Sequence, residues 1–274
     1  MTRKEALRDG SARLRSAGVD DPGGDARRLL EHVLGDTLAL RRDPDLPLSD
    51  QESEAFFQYL TVRSSHQPVA QIIGQRAFFG HNFTVTPDTL DPRPETEELV
   101  ARAVALKPRR VLDLGTGTGA ILLSILAACP EATGTATDIS EAALAVARHN
   151  AGTLSLTDRA TFFRSDWFDA VEGRFDHIVS NPPYLSAVEL ERVAPDVRDW
   201  EPHLALSPGG DGLDAYRTLA LGLRDHLAPR GTCLLEIGAT QGKSVPALFA
   251  AQGFSARLHL DLLGHPRIVQ IEDQ

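Results

Sequence analysis

Val111-Leu112-Asp113-Leu114-Gly115-Thr116-Gly117-Thr118-Gly119-Ala120 joins a short apolar run to three alternate glycines and then to the apolar stretch Ala120–Ala128. The first four residues read as a buried strand. Glycines at 115, 117 and 119 let the chain turn sharply and let a ligand approach the backbone closely. The helix behind them opens with N–H groups that no helical carbonyl satisfies. Residues 132–137 read as a second strand leading to Asp138, which lies 23 residues beyond Gly115. An acid at that distance stands where it accepts hydrogen bonds from ribose hydroxyls.

Working outward, the same alternation continues. Residues 141–150 read as a helix, Ala160–Arg164 and Phe175–Ser180 as strands, 216–227 as a helix, 232–237 as a strand and 245–251 as a helix. Two strands, Phe254–Leu260 and 267–271, close the chain around a turn at 262–266. Such alternation predicts an α/β fold, a mostly parallel sheet with helices on both faces. The final hairpin adds one antiparallel strand. Upstream, residues 1–70 read as a small helical bundle. Leu7, Leu14, Leu29, Leu30, Val33 and Leu34 recur at helical spacing. Asp21-Pro22 opens one helix, and Ser49-Asp50-Gln51-Glu52 is a capping box for another. Residues 71–91 read as a β-hairpin linker around a Gly80-His81-Asn82 turn. Residues 92–274 form the larger domain.

The chain has 274 residues, 42% hydrophobic and 24% charged, with a formal net charge of −10. That balance suits a folded protein with a substantial core. The acidic surplus argues against a broad cationic surface for direct nucleic-acid binding. Cys129 and Cys233 stand outside any metal-ligand spacing, so no metal site is expected, and both read as core residues of a reducing cytosol. The N-terminus carries no signal-peptide pattern, and the apolar stretch before Cys129 is too short to span a bilayer. A cytoplasmic protein without a membrane partner is the expectation.

Three places carry chemistry. Gly115 to Ala120 fits the dinucleotide pattern GxGxxA and the methyltransferase pattern GxGxG equally well. Asp166-Trp167 follows the third strand at the same sheet edge, where Asp166 would bond an adenine amino group and Trp167 would pack on its ring. Asn181-Pro182-Pro183-Tyr184 ends the fourth strand and decides between the patterns. Its two prolines remove two N–H donors. That leaves the Asn181 side-chain oxygen and the Pro182 carbonyl as an acceptor-only corner for an NH₂ group. An amide nitrogen is a weak nucleophile because its lone pair is delocalised. Two acceptors would orient it and stabilise the charge that develops on it. Tyr184 would pack on the planar amide, and the sulfonium of S-adenosyl-L-methionine would supply an activated methyl. No general base is assigned.

With these pieces in place, the chain resembles the peptide chain release factor glutamine methyltransferases (the PrmC/HemK family). The resemblance runs from about Gly74 to the C-terminus. It rests on Phe79-Gly80, Pro92-Arg93-Pro94-Glu95-Thr96-Glu97, the glycine loop, Asp138-Ile139-Ser140 and Ser165-Asp166-Trp167-Phe168. It continues through Asn181-Pro182-Pro183-Tyr184, Glu201-Pro202 and Leu235-Glu236-Ile237-Gly238. It implies a class I (Rossmann-like) methyltransferase with a seven-stranded sheet. It implies that Gly115, Thr116, Gly117, Thr118, Gly119, Asp138, Trp167 and Asn181 contact the cofactor. Asn181 to Tyr184 would hold the glutamine of a Gly-Gly-Gln loop in a release factor, and the helical domain would dock that partner. Arg93 and Glu95 are expected on the substrate side, in a segment that differs from the ribosomal-protein glutamine methyltransferases. Asp91 departs from the aliphatic residue usual before Pro92.

Two other enzyme readings share the Asn-Pro-Pro-Tyr corner: a ribosomal-protein glutamine methyltransferase and an adenine-N6 methyltransferase of DNA. The latter would need a basic groove for a flipped base. A non-catalytic cofactor-binding module is disfavoured because the glycine loop and Asn181 are both intact. The histidines are scattered, and Glu201 and Glu236 read as structural or solvated acids.

Overall fold

The structure, a computed structural model, describes residues 1–261 and 263–273. The chain divides into two compact units. One contains residues 1–75 together with 194–200, and the other contains 76–193 and 201–274.

The first unit is helical, with α1 (Arg3–Ser16), α2 (Pro22–Leu34), α3 (Ala39–Arg42), α4 (Asp50–Arg63) and α5 (Val69–Ile73). Its caps are those the sequence announces. Asp21 accepts from Gly24 N–H ahead of Pro22, and Ser49 and Glu52 satisfy each other's backbone N–H groups. Leu14, Leu29, Leu30, Phe56 and Leu60 are fully buried between the helices. Gly10 permits the approach of α1 to α4, because a Cβ there would lie 2.8 Å from the Phe56 ring. Beneath this core the Arg63 guanidinium meets Asp25 at 2.6 Å, and both side chains are 6% exposed. Residues 194–200 complete the unit: Trp200 Nε1 donates to the Ser65 carbonyl, and Gln71 Nε2 donates to the Trp200 carbonyl.

The second unit opens with the hairpin β1 (Gln75–Phe78) and β2 (His81–Thr84). Its turn is Phe79-Gly80 rather than Gly80-His81-Asn82, with φ of 46° and 78°. A two-residue hairpin turn of type I′ has positive φ at both central positions, as Phe79 and Gly80 do, which moves His81 and Asn82 into the strand. A 3₁₀ turn at Pro94–Thr96 leads into α6 (Glu97–Ala105). Then come β3 (Arg110–Leu114), α7 (Ala120–Ala128), β4 (Thr133–Asp138), α8 (Glu141–Thr153), β5 (Ala160–Arg164) and β6 (Phe175–Ser180). Three single-turn helices follow: α9 (Ala187–Leu190), α10 (Pro195–Arg198), which belongs to the helical unit, and α11 (His203–Leu206). The chain closes with α12 (Asp214–His226), β7 (Leu227–Glu236), α13 (Ser244–Ala251), β8 (Phe254–Leu260) and β9 (Pro266–Asp273). Leu262, in the turn expected at 262–266, lies outside the described residues.

The sheet has seven strands in the order β5-β4-β3-β6-β7-β9-β8. All neighbours from β5 to β7 run parallel, and β9 is antiparallel to both β7 and β8. Alternation along β3 sends Val111 into the core on one face and Leu112 into the core on the other. The chain winds outward from β3 through β4 to β5 and then returns to β6, on the other side of β3. That reversal opens a crevice at the carboxyl ends of the central strands, where ligands bind in such folds. β7 begins five residues before the sequence pattern suggests. Pro229, Gly231 and a register shift opposite Phe175 and His177 interrupt its alternation. No described helix is long and apolar enough to cross a membrane.

Candidate active site

The glycine loop leaves β3 with Gly115, Gly117 and Gly119 all in the left-handed region, at φ of 69°, 55° and 79°. Side chains rarely adopt that conformation, so alternate glycines are what let the loop curl back toward the sheet. The N–H groups of Gly115 and Thr116 both donate to the Thr137 carbonyl at 2.9 Å, and Gly117 N–H donates to Asp138 Oδ2 at 2.9 Å. The two intervening threonines turn inward. Thr116 Oγ1 donates to the buried Asp113 carboxylate at 2.6 Å, while the Thr118 carbonyl accepts from Asn150 Nδ2. Burial pushes the Asp113 carboxyl up to about 7 against the pull of that Thr116 hydroxyl.

In front of the loop lies a cavity of about 460 Å³, in the range of small-molecule sites. Gly115, Gly117, Asp138, Asp166, Trp167, Asn181 and Pro183 all line it. Asp138 ends β4, and its other oxygen accepts from Ser140 N–H at 2.9 Å. Burial raises its carboxyl above the usual range, opposed by the N–H groups of Ser140, Gly117 and Ile139. Trp167 sits at φ 47°, a costly conformation for an aromatic residue. Ser165 holds that turn: its hydroxyl donates to the Trp167 carbonyl and accepts from Ala170 N–H. The indole stands where a Cβ on Gly115 would come within 3.9 Å of it, so ring and glycine loop face each other.

The fourth strand delivers Asn181 to the same crevice. Ser180 Oγ donates to the Leu114 carbonyl at 2.6 Å and ties the ends of β6 and β3 together. Asn181 is half-buried, and its Nδ2 donates to Thr96 Oγ1 at 3.4 Å. Thr96 in turn donates to Glu236 Oε2 at 2.6 Å. The Tyr184 carbonyl accepts from Gln241 Nε2 at 2.9 Å, and Gln241 also bonds Gly212 and Gly238. Burial, followed by the charge of Glu236, pushes the Tyr184 phenol up to about 12. A Cβ on Gly238 would lie 3.3 Å from the Tyr184 ring, so this glycine gives the ring its place.

The cavity thus gathers the two outer residues of the glycine motif's first half, Asp138, Asp166, Trp167, Asn181 and Pro183. Thr116, Thr118, Gly119, Pro182 and Tyr184 are not among its lining residues. Gly119 serves the packing of helices, because a Cβ there would lie 3.0 Å from Leu123 and 3.2 Å from Ala147. Arg93 and Glu95 also lie off the cavity. Arg93 pairs with the buried Glu201 at 2.5 Å, and the charges of Arg93 and Glu95 reach Tyr184 and Glu236. Several lining residues escape a sequence reading: Pro87 to Leu90, and Asp214, Ala215 and Thr218 on α12. No motif marks them, since only the folded chain brings α12 beneath Asn181. The link from Glu236 to Thr96 and that from Gln241 to Tyr184 escape likewise, because the partners lie 140 and 57 residues apart.

Known proteins place this geometry. A family model described as Methyltransferase small domain matches residues 91–196, and one described as PrmC N-terminal domain matches residues 5–74. Among solved structures, a methyltransferase from Pyrococcus furiosus shares the fold with a TM-score of 0.54 at 19% identity, over 79% of this chain and 96% of that one. A release factor glutamine methyltransferase from Bradyrhizobium diazoefficiens is 41% identical over 97% of this chain and 93% of its own. The enzyme of that name from Cereibacter sphaeroides is 52% identical. With 98% of both chains aligned in that last comparison, the chain belongs to the release factor glutamine methyltransferase family.

Proposed function

We propose that this protein binds S-adenosyl-L-methionine and methylates the side-chain amide nitrogen of the glutamine in the Gly-Gly-Gln motif of a peptide chain release factor. The cavity fits the cofactor: a glycine-walled floor, a carboxylate at the end of β4 for ribose hydroxyls, and an indole with a neighbouring acid for the adenine. Gly115, Gly117, Asp138, Asp166 and Trp167 would hold it. When bound, it supplies a methyl already activated on a sulfonium.

The observation that carries the reading is the orientation of Asn181. One of its N–H bonds faces Thr96 Oγ1 at 3.4 Å, which leaves its oxygen to accept from a substrate NH₂. Pro182 and Pro183 offer no N–H to compete. Asn181 and the Pro182 carbonyl then orient the carboxamide and stabilise the positive charge that grows on its nitrogen during transfer. Tyr184, held through its carbonyl by Gln241, bounds the pocket for the planar amide. Arg93 and Glu95 flank the substrate side, and the helical unit docks the release factor in the cytosol. The adenine reading shares the acceptor corner but gains no support from a chain of net charge −10.

The deciding experiment is mass spectrometry of a release factor after incubation with the protein and S-adenosylmethionine. One added methyl on the Gly-Gly-Gln glutamine is the expected result. Label in duplex DNA with none in the release factor would overturn it. Cofactor binding has its own test. Asp138→Ala should weaken S-adenosylmethionine binding by about 1.5–3 kcal/mol, the scale of a hydrogen bond to a charged group. Calorimetry showing unchanged affinity would remove Asp138 from the ribose role.

A further inference from the structure

An asparagine carboxamide has an accepting end and a donating end of nearly the same shape, so something must choose between them. With its oxygen forward, Asn181 complements an NH₂ group. Flipped, it would set donor against donor. The choice is made behind it. The Thr96 hydroxyl carries one proton and commits it to Glu236 Oε2 at 2.6 Å. Its oxygen then offers Asn181 nothing but lone pairs, so only the amide nitrogen can face it. That nitrogen stands 3.4 Å away. The separation exceeds the usual range of roughly 2.7–3.2 Å, so the contact fixes polarity more than it adds strength.

We infer that Glu236 and Thr96 form a positioning relay that locks the Asn181 carboxamide with its oxygen toward the substrate nitrogen. This rests on the reading of Asn181 as the acceptor for glutamine. Neither relay residue meets the substrate; both act through Asn181. Thr96 is 4% exposed and Glu236 1% exposed, so the pair is shielded from bulk solvent. The relay also explains an acid buried at the end of β7, which would otherwise be costly to keep.

The relay depends on Glu236 being a carboxylate. Burial pushes its carboxyl up to about 7. The Thr96 hydroxyl, the Arg267 cation on β9 and Arg93 pull it back, while Glu95 raises it. The phenols of Tyr184 and Tyr216 also face it, and the Tyr216 hydroxyl donates to the Glu236 carbonyl at 2.8 Å. Above that value Glu236 accepts and the polarity holds. Below it the neutral acid can donate to Thr96, the threonine proton is released, and the asparagine is free to flip.

Steady-state transfer to a release factor is measured for wild type, Thr96→Ser, Thr96→Val and Glu236→Gln, with S-adenosylmethionine affinity by calorimetry as the check on folding. Thr96→Ser keeps the hydroxyl and should hold kcat within about twofold of wild type. Thr96→Val should lose roughly 10–100-fold in kcat, part of the 10²–10³ lost when a preorganised hydrogen bond is removed outright. Cofactor affinity should stay within about twofold in both, on the same reasoning that only the transferring step uses the bond. The ratio of wild-type to Glu236→Gln kcat should grow as pH rises from about 6 to about 8.5, because only the wild-type acid ionises over that interval. A Thr96→Val kcat equal to that of Thr96→Ser overturns the relay, as does a ratio that stays flat with pH. Wild type that leaves the glutamine unmethylated overturns the proposed function itself, and the relay with it.

Discussion

Asn181→Ala is expected to bind S-adenosylmethionine within a few-fold of wild type while its methyl transfer falls by about 10²–10³. The two effects separate because the side chain meets two demands of different weight. Toward the cofactor it contributes one of several walls, alongside Gly115, Gly117, Asp138 and Trp167. Toward the substrate it supplies an acceptor whose partner gains positive charge only as the methyl arrives. An interaction that strengthens on the way to the transition state lowers kcat when lost, whereas uniform binding lowers affinity. Single-turnover transfer, with calorimetry on the same preparation, tests the split. Normal transfer by Asn181→Ala would remove the acceptor mechanism, whatever the cofactor affinity.

The second large effect concerns stability. Asp25→Ala should destabilise the protein by about 3–5 kcal/mol, the usual cost of stripping one partner from a buried ion pair. Arg63 would remain 5% exposed with the Gln67 carbonyl at 3.2 Å and a distant Asp196 oxygen at 3.5 Å to satisfy it. The cost comes from the stranded guanidinium rather than from the lost attraction. Pairing Asp25→Ala with Arg63→Met should therefore recover most of the loss, since the pair is coupled. Denaturant unfolding of the full chain measures both. A single variant within about 1 kcal/mol of wild type would mean that water reaches the pair and relieves the burial penalty.

The parallel core was legible because its signals are local. Ala160–Arg164, Phe175–Ser180 and Phe254–Leu260 are strands with the bounds their sequences suggest, and Ala120–Ala128 is a helix with the expected ends. The glycine loop, Asp138, Asp166-Trp167 and Asn181 each follow a strand end, so the parallel topology alone sends them to one edge. What stayed hidden was short or distant. α9, α10 and α11 have four residues each, too few to show a period. Thr96 and Glu236 are 140 residues apart, and an isolated acid in an apolar strand carries no sign of its partner. The lining from α12 was invisible for a different reason. Asp214 and Thr218 occupy ordinary helical positions, and only the crossover beneath β6 gives them a cavity to face.

The helical unit is not one continuous stretch of chain: after the Asn-Pro-Pro-Tyr corner, seven residues, 194–200, return to it before the chain goes back to the sheet. A protein cut at residue 76 would therefore not yield a clean half. It would keep Trp200 but lose Ser65 and Gln71, which hold that residue's indole and carbonyl, and so expose an unsupported loop sixteen residues beyond Tyr184. A replacement for the front module would have to rebuild a seat for residues 194–200, which the other half of the chain encodes.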